Sequence, residues 1–393
     1  MRIRAWGAIA ALGIALAGCG GGGDGGTGTN SPSELSAAAA LGQQIFSDVS
    51  LSAGGKQSCA SCHDPDHAHG PANNLAVQLG GANLDVPGFR AAPSLRYLKT
   101  TPAFFFDAED TPTGGFNLDG RVDTLQAQAR RPFLAPHEMA NADIPAVISK
   151  LANASYAVEF RRVFGDTIFS DPQAAFDRVV FALQRFQLED ASFAPFSSKY
   201  DAFLAGNAKL GDAELRGLAL FNSASKGNCA ACHPSARAAD GSPPLFTDFT
   251  YDNLGVPRNI EIAATADANY FDLGLCGPDR TDLSGRTDLC GAFKVPTLRN
   301  VATRPVFFHN GRFKSLKEAL QFYATRDTHP ERWYPLVNGT PDKFNDLPAA
   351  YRANVNTSEA PYNRKAGDAP ALTDAEIDDL IAFLTTLSDG YSR

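Results

Sequence analysis

Methionine and tryptophan are almost missing from this 393-residue chain, which has two of each. Met1 and Trp6 lie at the very start, so the body of the chain has Met139 as its one thioether and Trp333 as its one indole. Any centre that needs a methionine ligand, or an indole placed between two centres, has a single candidate for each. Basic residues are also in deficit, with 35 Lys and Arg against 43 Asp and Glu and a net charge of −8. That balance argues against nucleic acid as a partner, because phosphate backbones are held by basic surfaces. A long apolar run is lacking too: the one that opens the chain falls short of the ~20 residues a membrane-spanning helix needs.

What the chain does have begins with MRIRAWGAIAALGIALAGC, in which two arginines precede a short apolar run, small residues and a cysteine. This is the layout of an export signal over residues 1–18. Leu16-Ala17-Gly18-Cys19 further resembles a lipobox, whose cleavage leaves Cys19 as a lipidated first residue. An ordinary secretory signal with a stray cysteine is the alternative. Loss of Arg2 and Arg4 with the signal takes the net charge of −8 to −10, a surface suited to a basic soluble partner. The Gly-rich segment 19–33 reads as a flexible tether, with folding expected from residue 34. The expected location is periplasmic or cell-surface, with membrane attachment only through the lipid on Cys19.

Six cysteines remain, in three pairs. Cys276 and Cys290 bracket the polar loop GPDRTDLSGRTDL and are expected to form a structural disulfide in an oxidising compartment. Its loop closure would contribute roughly 3 kcal/mol in the chain-entropy model. The other two pairs form Cys59-Ala-Ser-Cys62-His63 and Cys229-Ala-Ala-Cys232-His233. One CxxCH could be chance or part of a zinc site; two in one chain point to covalent attachment of two c-type haems. The thiols add to the haem vinyl groups and the next histidine, His63 or His233, is the proximal iron ligand. Zinc has no reason to demand a histidine directly after CxxC twice over.

The flanks of the motifs repeat as well. Leu41-Gly-Gln-Gln-Ile-Phe46-Ser precedes the first and Arg216-Gly-Leu-Ala-Leu-Phe221-Asn the second, each the end of an amphipathic helix. Asp171-Pro172 starts a helix with Phe176, Val179, Val180, Leu183 and Phe186 on one face, and Thr373-Asp-Ala-Glu376 is a capping box for a last helix. Strand runs are few. The expected class is mainly α with long loops, in two cytochrome c-like lobes spanning 34–205 and 206–393, one haem in each.

These residues resemble the bacterial di-haem cytochrome c peroxidase and MauG family. The matching stretches are Leu118-Asp-Gly-Arg121, Gln128-Ala-Arg-Arg-Pro132 through Glu138-Met139, Asn253-Leu-Gly-Val-Pro257, Gly291 through Asn300, His309-Asn-Gly311 and Ser315-Leu-Lys-Glu318. The resemblance implies that the haem on His63 meets hydrogen peroxide and that the haem on His233 relays electrons. It also makes Glu138 and Gln128 the distal catalytic pair, with Glu138 moving a proton from one peroxide oxygen to the other. Oxidised family members often cap the peroxide haem with a histidine, but here the matching loop, residues 76–83, has none. An open haem is therefore expected, with His67 and His69 as surface residues or propionate neighbours.

At the second haem the family's usual methionine ligand is lacking, since Met139 sits beside Glu138. The matching position is Tyr323, as in MauG, with His309 as the fallback; a tyrosine oxygen favours Fe(III) and gives a lower potential than His/Met ligation. Two features depart from the family. Leu118 stands where an inter-haem tryptophan is usual, and Ala91 stands where an asparagine helps bind an inter-haem calcium, leaving the carbonyls of Thr303 and Pro305. Three functions follow: a peroxidase that reduces hydrogen peroxide with electrons from a small soluble cytochrome c or cupredoxin, a MauG-like oxidase that stores oxidising equivalents on its haems to modify a protein or aromatic substrate, and a di-haem electron carrier without catalysis.

Overall fold

The computed structural model describes residues 34–392; the expected signal, Cys19 and the whole Gly-rich tether lie outside them. Residues 35–393 form one contact unit, and it is mainly helical. In chain order the helices are α1 (Ala37–Ser47), α2 (Cys59–Cys62), α3 (Leu125–Gln128), α4 (Ile144–Leu151), α5 (Ala157–Phe164), α6 (Pro172–Glu189), α7 (Lys199–Leu204), α8 (Asp212–Asn222), α9 (Leu316–Thr325) and α10 (Asp374–Thr385). The strands are two-residue antiparallel pairs: β1 (Leu79–Gly80) with β2 (Val86–Pro87), β3 (Phe105–Phe106) with β4 (Pro112–Thr113), β5 (Tyr251–Asp252) with β6 (Phe293–Lys294), and β7 (Leu336–Val337) with β8 (Thr340–Pro341).

The helix signals in the sequence are realised. Asp171 caps α6 by accepting from the amides of Gln173 and Ala174 at 3.0 and 3.1 Å, and Pro172 fills the first turn, where its missing N–H costs nothing. Thr373 and Glu376 form the capping box of α10. The apolar faces of these helices build two separate cores. The first draws on residues between Leu41 and Phe193, the second on residues between Tyr200 and Leu387, so α7 already packs with the second core.

The repeated flanks turn out to be the same helix crossing made twice. A Cβ on Gly42 of α1 would lie 2.1 Å from the Ala182 carbonyl oxygen of α6, and one on Gly217 of α8 would lie 2.0 Å from that of Asp379 in α10. One turn along from each glycine a phenylalanine meets another edge-on: Phe46 with Phe186 at 5.6 Å, and Phe221 with Phe383 at 5.2 Å. The glycines let the helix backbones touch, and the rings fill the wedge beyond. The helix that precedes each motif is thereby seated on the helix that closes its lobe.

The expected Cys276–Cys290 disulfide is formed, with a Cα–Cα separation of 4.8 Å. Its loop reaches back to the first lobe, where Asp279 pairs with Arg131 and Arg121. Next to it, Arg280 donates to the Asp119 carbonyl at 2.9 Å.

An alanine at an ordinary helical glycine stabilises by up to ~1 kcal/mol. Gly42→Ala and Gly217→Ala should reverse that sign, each destabilising by ~1–3 kcal/mol through overpacking, with thermal unfolding of the purified protein as the measurement. A rise in Tm for either variant would contradict the close crossing.

Candidate functional site

Each CxxCH motif forms a tight turn that presents its histidine. Cys59 and Cys62 begin and end α2, where the Ser58 amide donates to the Ser61 hydroxyl at 2.9 Å. Cys229 begins a single 3₁₀ turn, Cys229–Ala231. In both motifs the histidine amide donates to the carbonyl of the first cysteine, at 2.9 Å.

The two imidazoles are fixed in the same way. His63 Nδ1 lies 3.0 Å from the Pro93 carbonyl oxygen and His233 Nδ1 lies 2.7 Å from that of Phe246. A backbone carbonyl only accepts, so Nδ1 carries the proton and Nε2 keeps its lone pair for a metal. Burial, the main cause, pushes the His63 pKa down to about 4 and lowers that of His233, so both rings are neutral at physiological pH. The chemistry of the donor set fits haem c twice: two thiols and one free imidazole nitrogen at each motif.

Glu138 stands over the first motif on a clamped backbone. Its carbonyl accepts from the Gly81 amide at 2.8 Å and also from the Gln57 side chain, two residues before Cys59. Its carboxylate acts electrostatically on both Cys59 and Cys62. Burial raises the Glu138 pKa, and Arg131 and Arg121 oppose the rise. The side chain keeps 38% of its surface accessible, with His137 Nε2 3.6 Å from its Oε1. The 76–83 loop packs here: a Cβ on Gly80 would lie 2.2 Å from the His137 carbonyl oxygen. Gln128 ends α3, whose first turn is capped by the Thr124 hydroxyl accepting from Ala127 at 3.0 Å.

A cavity of about 360 Å³ runs from Cys229, Cys232, His233 and Tyr323 past Leu118 and Arg304 to Gln128. Tyr323 projects from α9 into it. Burial, then the charges at Cys229, Asp252 and Cys232, raise its pKa. Beside it stands Tyr362, with ring centroids 5.9 Å apart. His309 lies on the inter-lobe side of the cavity, its ring stacked on Phe293 at 3.8 Å. Met139 is buried in the first core, and Trp333 in the second, where its indole N–H donates to Thr325 at 3.0 Å.

One reading needs correction. His67 is half exposed and holds Asp64 at 3.0 Å, as a surface residue should. His69 is not a surface residue: it is 1% exposed, stacked on Phe193 at 3.9 Å, with Nε2 2.8 Å from the Ser192 hydroxyl. The polar neighbour that makes its burial tolerable lies 123 residues away, out of reach of local reading.

The sequence reading also missed the charged seam beside the first site. Arg90 grips Asp272 through Nε and Nη2 at 2.6 and 2.7 Å and Asp119 at 2.6 Å; Asp119 holds Arg121 at 2.7 Å, and Asp279 joins Arg121 to Arg131. Arg121 and Arg131 were visible as motif residues, but nothing local linked them to the disulfide loop. Where the resemblance implied an oxygen donor for calcium, Ala91 offers a buried methyl, and the nearby Arg304 guanidinium hydrogen-bonds the Ala92 carbonyl at 3.0 Å. Among the described residues no group of three His, Cys, Asp or Glu side chains is poised for a metal ion.

Comparison with known proteins agrees in one direction. The profile described as di-haem cytochrome c peroxidase matches residues 36–209. The methylamine utilization protein MauG of Paracoccus denitrificans is 36% identical over 362 residues, 90% of this chain and 89% of that protein. The cytochrome c551 peroxidase of Nitrosomonas europaea is 30% identical over 284 residues, 72% of this chain and 71% of that protein. The crystal structure of the diheme peroxidase BthA of Burkholderia thailandensis superposes with a TM-score of 0.82 at 42% identity, covering 90% of this chain and 86% of that one.

Because Asp279 raises the Glu138 pKa and Arg131 lowers it, their removal should act in opposite senses. Asp279→Asn should shift the Glu138 titration to lower pH and Arg131→Gln to higher pH, read from the infrared carboxyl band that Glu138→Gln abolishes. Shifts in the same direction would contradict the electrostatic account.

Proposed function

We propose that this chain, which belongs to the di-haem cytochrome c peroxidase and MauG family, reduces hydrogen peroxide to water in its N-terminal lobe with electrons passed through its C-terminal lobe. The observation that carries the reading is the Glu138 carboxylate, held over the first motif by two donors to its backbone carbonyl, with a histidine-free loop packed against it. Cys59, Cys62 and His63 hold one haem; Cys229, Cys232, His233 and Tyr323 hold the other. The haems supply the electron transfer and bind the peroxide. The donor is a small soluble cytochrome or cupredoxin, and the acidic surface suits a basic one. The place is the periplasm or the cell surface, with Cys19 as the lipid anchor.

The chain's own share of the chemistry is proton handling. Reduction of one peroxide consumes two electrons and two protons. The ionised Glu138 takes the proton from one peroxide oxygen and returns it to the other, so that the second leaves as water. Gln128, the other member of the pair that the resemblance implies, orients the peroxide with its amide N–H. Glu138 must be ionised to act, and its pKa is raised by burial, so the rate climbs with pH through a value above that of an ordinary glutamate and falls below it.

A MauG-like oxidase is the second reading. Tyr323 favours it, because a hard anionic ligand stabilises oxidised iron and the one described methionine is committed to the first core. Leu118, in place of an indole between the lobes, weighs against it. Rapid steady-state oxidation of a reduced small cytochrome by peroxide separates the two: sustained turnover supports the peroxidase and its absence supports the oxidase.

Glu138→Gln should lower kcat/KM for peroxide by about 10²–10⁴-fold and abolish the acid limb of its pH profile. A variant with wild-type rate and profile would contradict the assignment. Tyr323→Phe should raise the midpoint potential of the haem on His233, since an anionic ligand is lost; an unchanged potential and spin state would remove Tyr323 as ligand.

A further inference from the structure

The most enclosed arginines of this fold are paired. Arg90 holds Asp119 and Asp272, Arg280 holds Asp282, Arg299 holds Asp201, and Arg326 holds Asp327. Arg304 is half-buried, and among the described residues no carboxylate lies within ion-pair distance of it. Its one hydrogen bond is from Nη2 to the Ala92 carbonyl oxygen, at 3.0 Å, and the guanidinium lines the cavity between the lobes. Burial pushes its pKa down to about 10, and nothing raises it again, so it remains a cation at neutral pH. A cation without a counter-ion invites an anionic partner, and this one lines a cavity that reaches from the second motif to Gly70 and Pro93 beside the first.

The position of Arg304 identifies what it faces. It comes from the second lobe, directly after the turn Val301–Thr303, yet it rests against two loops of the first. Its Nη1 would be 3.8 Å from a Cβ on Gly70, in the loop that follows His63, and Ala92 adjoins Pro93, the residue whose carbonyl fixes His63. Its charge is felt at His63 itself. A c-type haem carries two carboxylates of its own, the propionates, and the first motif brings a haem to this place.

We infer that Arg304 is a cross-lobe counter-cation for a propionate of the haem on His63, filling the electrostatic role that a metal ion between the lobes would otherwise have. The inference rests on haem occupancy of the first motif and not on what that haem then does with peroxide. Arg304 is a positioning residue: it holds the haem edge, ties the lobes through it, and by adding positive charge near the iron favours the reduced state. A second cation has no place beside it, consistent with the methyl of Ala91 where an oxygen donor would be required.

The test is a spectroelectrochemical titration of the di-haem holoprotein, comparing wild type with Arg304→Gln and Arg304→Lys in buffers with a calcium chelator and with added calcium. Arg304→Gln should move the midpoint potential of the haem on His63 to more negative values while leaving the other haem near its wild-type value, Arg304→Lys should recover part of the shift, and wild type should be indifferent to calcium. An unchanged potential in Arg304→Gln would overturn the inference, and so would a wild-type potential that depends on calcium. Should Arg304→Gln fail to accumulate, resonance Raman of wild type and Arg304→Lys decides the matter: the propionate bending mode of the first haem should shift between them, and coincident modes would overturn the pairing. None of these readouts depends on turnover, so a protein that fails as a peroxidase could still pass.

Discussion

Everything at the two CxxCH motifs depends on one hydrogen bond made twice, from a histidine Nδ1 to a backbone carbonyl. At His63 the acceptor is Pro93 and at His233 it is Phe246. The bond settles the tautomer, turns Nε2 toward the space where iron belongs, and does so with an acceptor that no side-chain motion can withdraw. The acceptors are themselves anchored. Phe246 packs against Phe221 and Phe383 of the second core, and Pro93 lies in the loop that Arg304 steadies from the other lobe.

The lobes differ in what surrounds this shared device. Around the second motif the neighbours are aromatic and phenolic, with Tyr323 and Tyr362 in contact and Phe308 5.5 Å from Tyr323, a setting for holding one ligand and passing electrons. Around the first, charge is laid out in a seam of alternating arginines and aspartates, and Glu138 stands at one end of it. Burial pushes the carboxyl toward its neutral form while Arg121 and Arg131 pull it back, a balance that suits the general base we propose. Asp279, delivered by the disulfide loop of the other lobe, adjusts both arginines at once. The titration of Glu138 in the N-terminal lobe is thus set partly by a residue from the C-terminal one.

Much of this could be read from the sequence, and the division is physical. The haem-attachment motifs are legible because covalent attachment demands cysteines and histidine within five residues, and the helices because caps and apolar periodicity are local. The repeat around Gly42 and Gly217 was visible as letters, but its cause, a backbone contact with Ala182 and Asp379, was not. What escaped was long-range and polar. His69 was misjudged because Ser192 and Phe193 bury it from far along the chain, the Asp279 pairs join residues 148 apart in the case of Arg131, and Arg304 acquires meaning only when its missing carboxylate is noticed in three dimensions. Absences in the sequence were informative for the same reason that motifs were: with Met139 spoken for and no histidine in the 76–83 loop, the ligand choices at both centres narrow sharply.

The account rests most heavily on an N-terminal haem whose peroxide side is open while its C-terminal counterpart carries a protein ligand on each face. Electron paramagnetic resonance of the fully oxidised protein, before and after one equivalent of hydrogen peroxide, tests this directly. The account predicts one high-spin and one low-spin ferric signal at the outset, with the high-spin signal lost promptly on addition of peroxide. Two low-spin signals that peroxide leaves unchanged would contradict it.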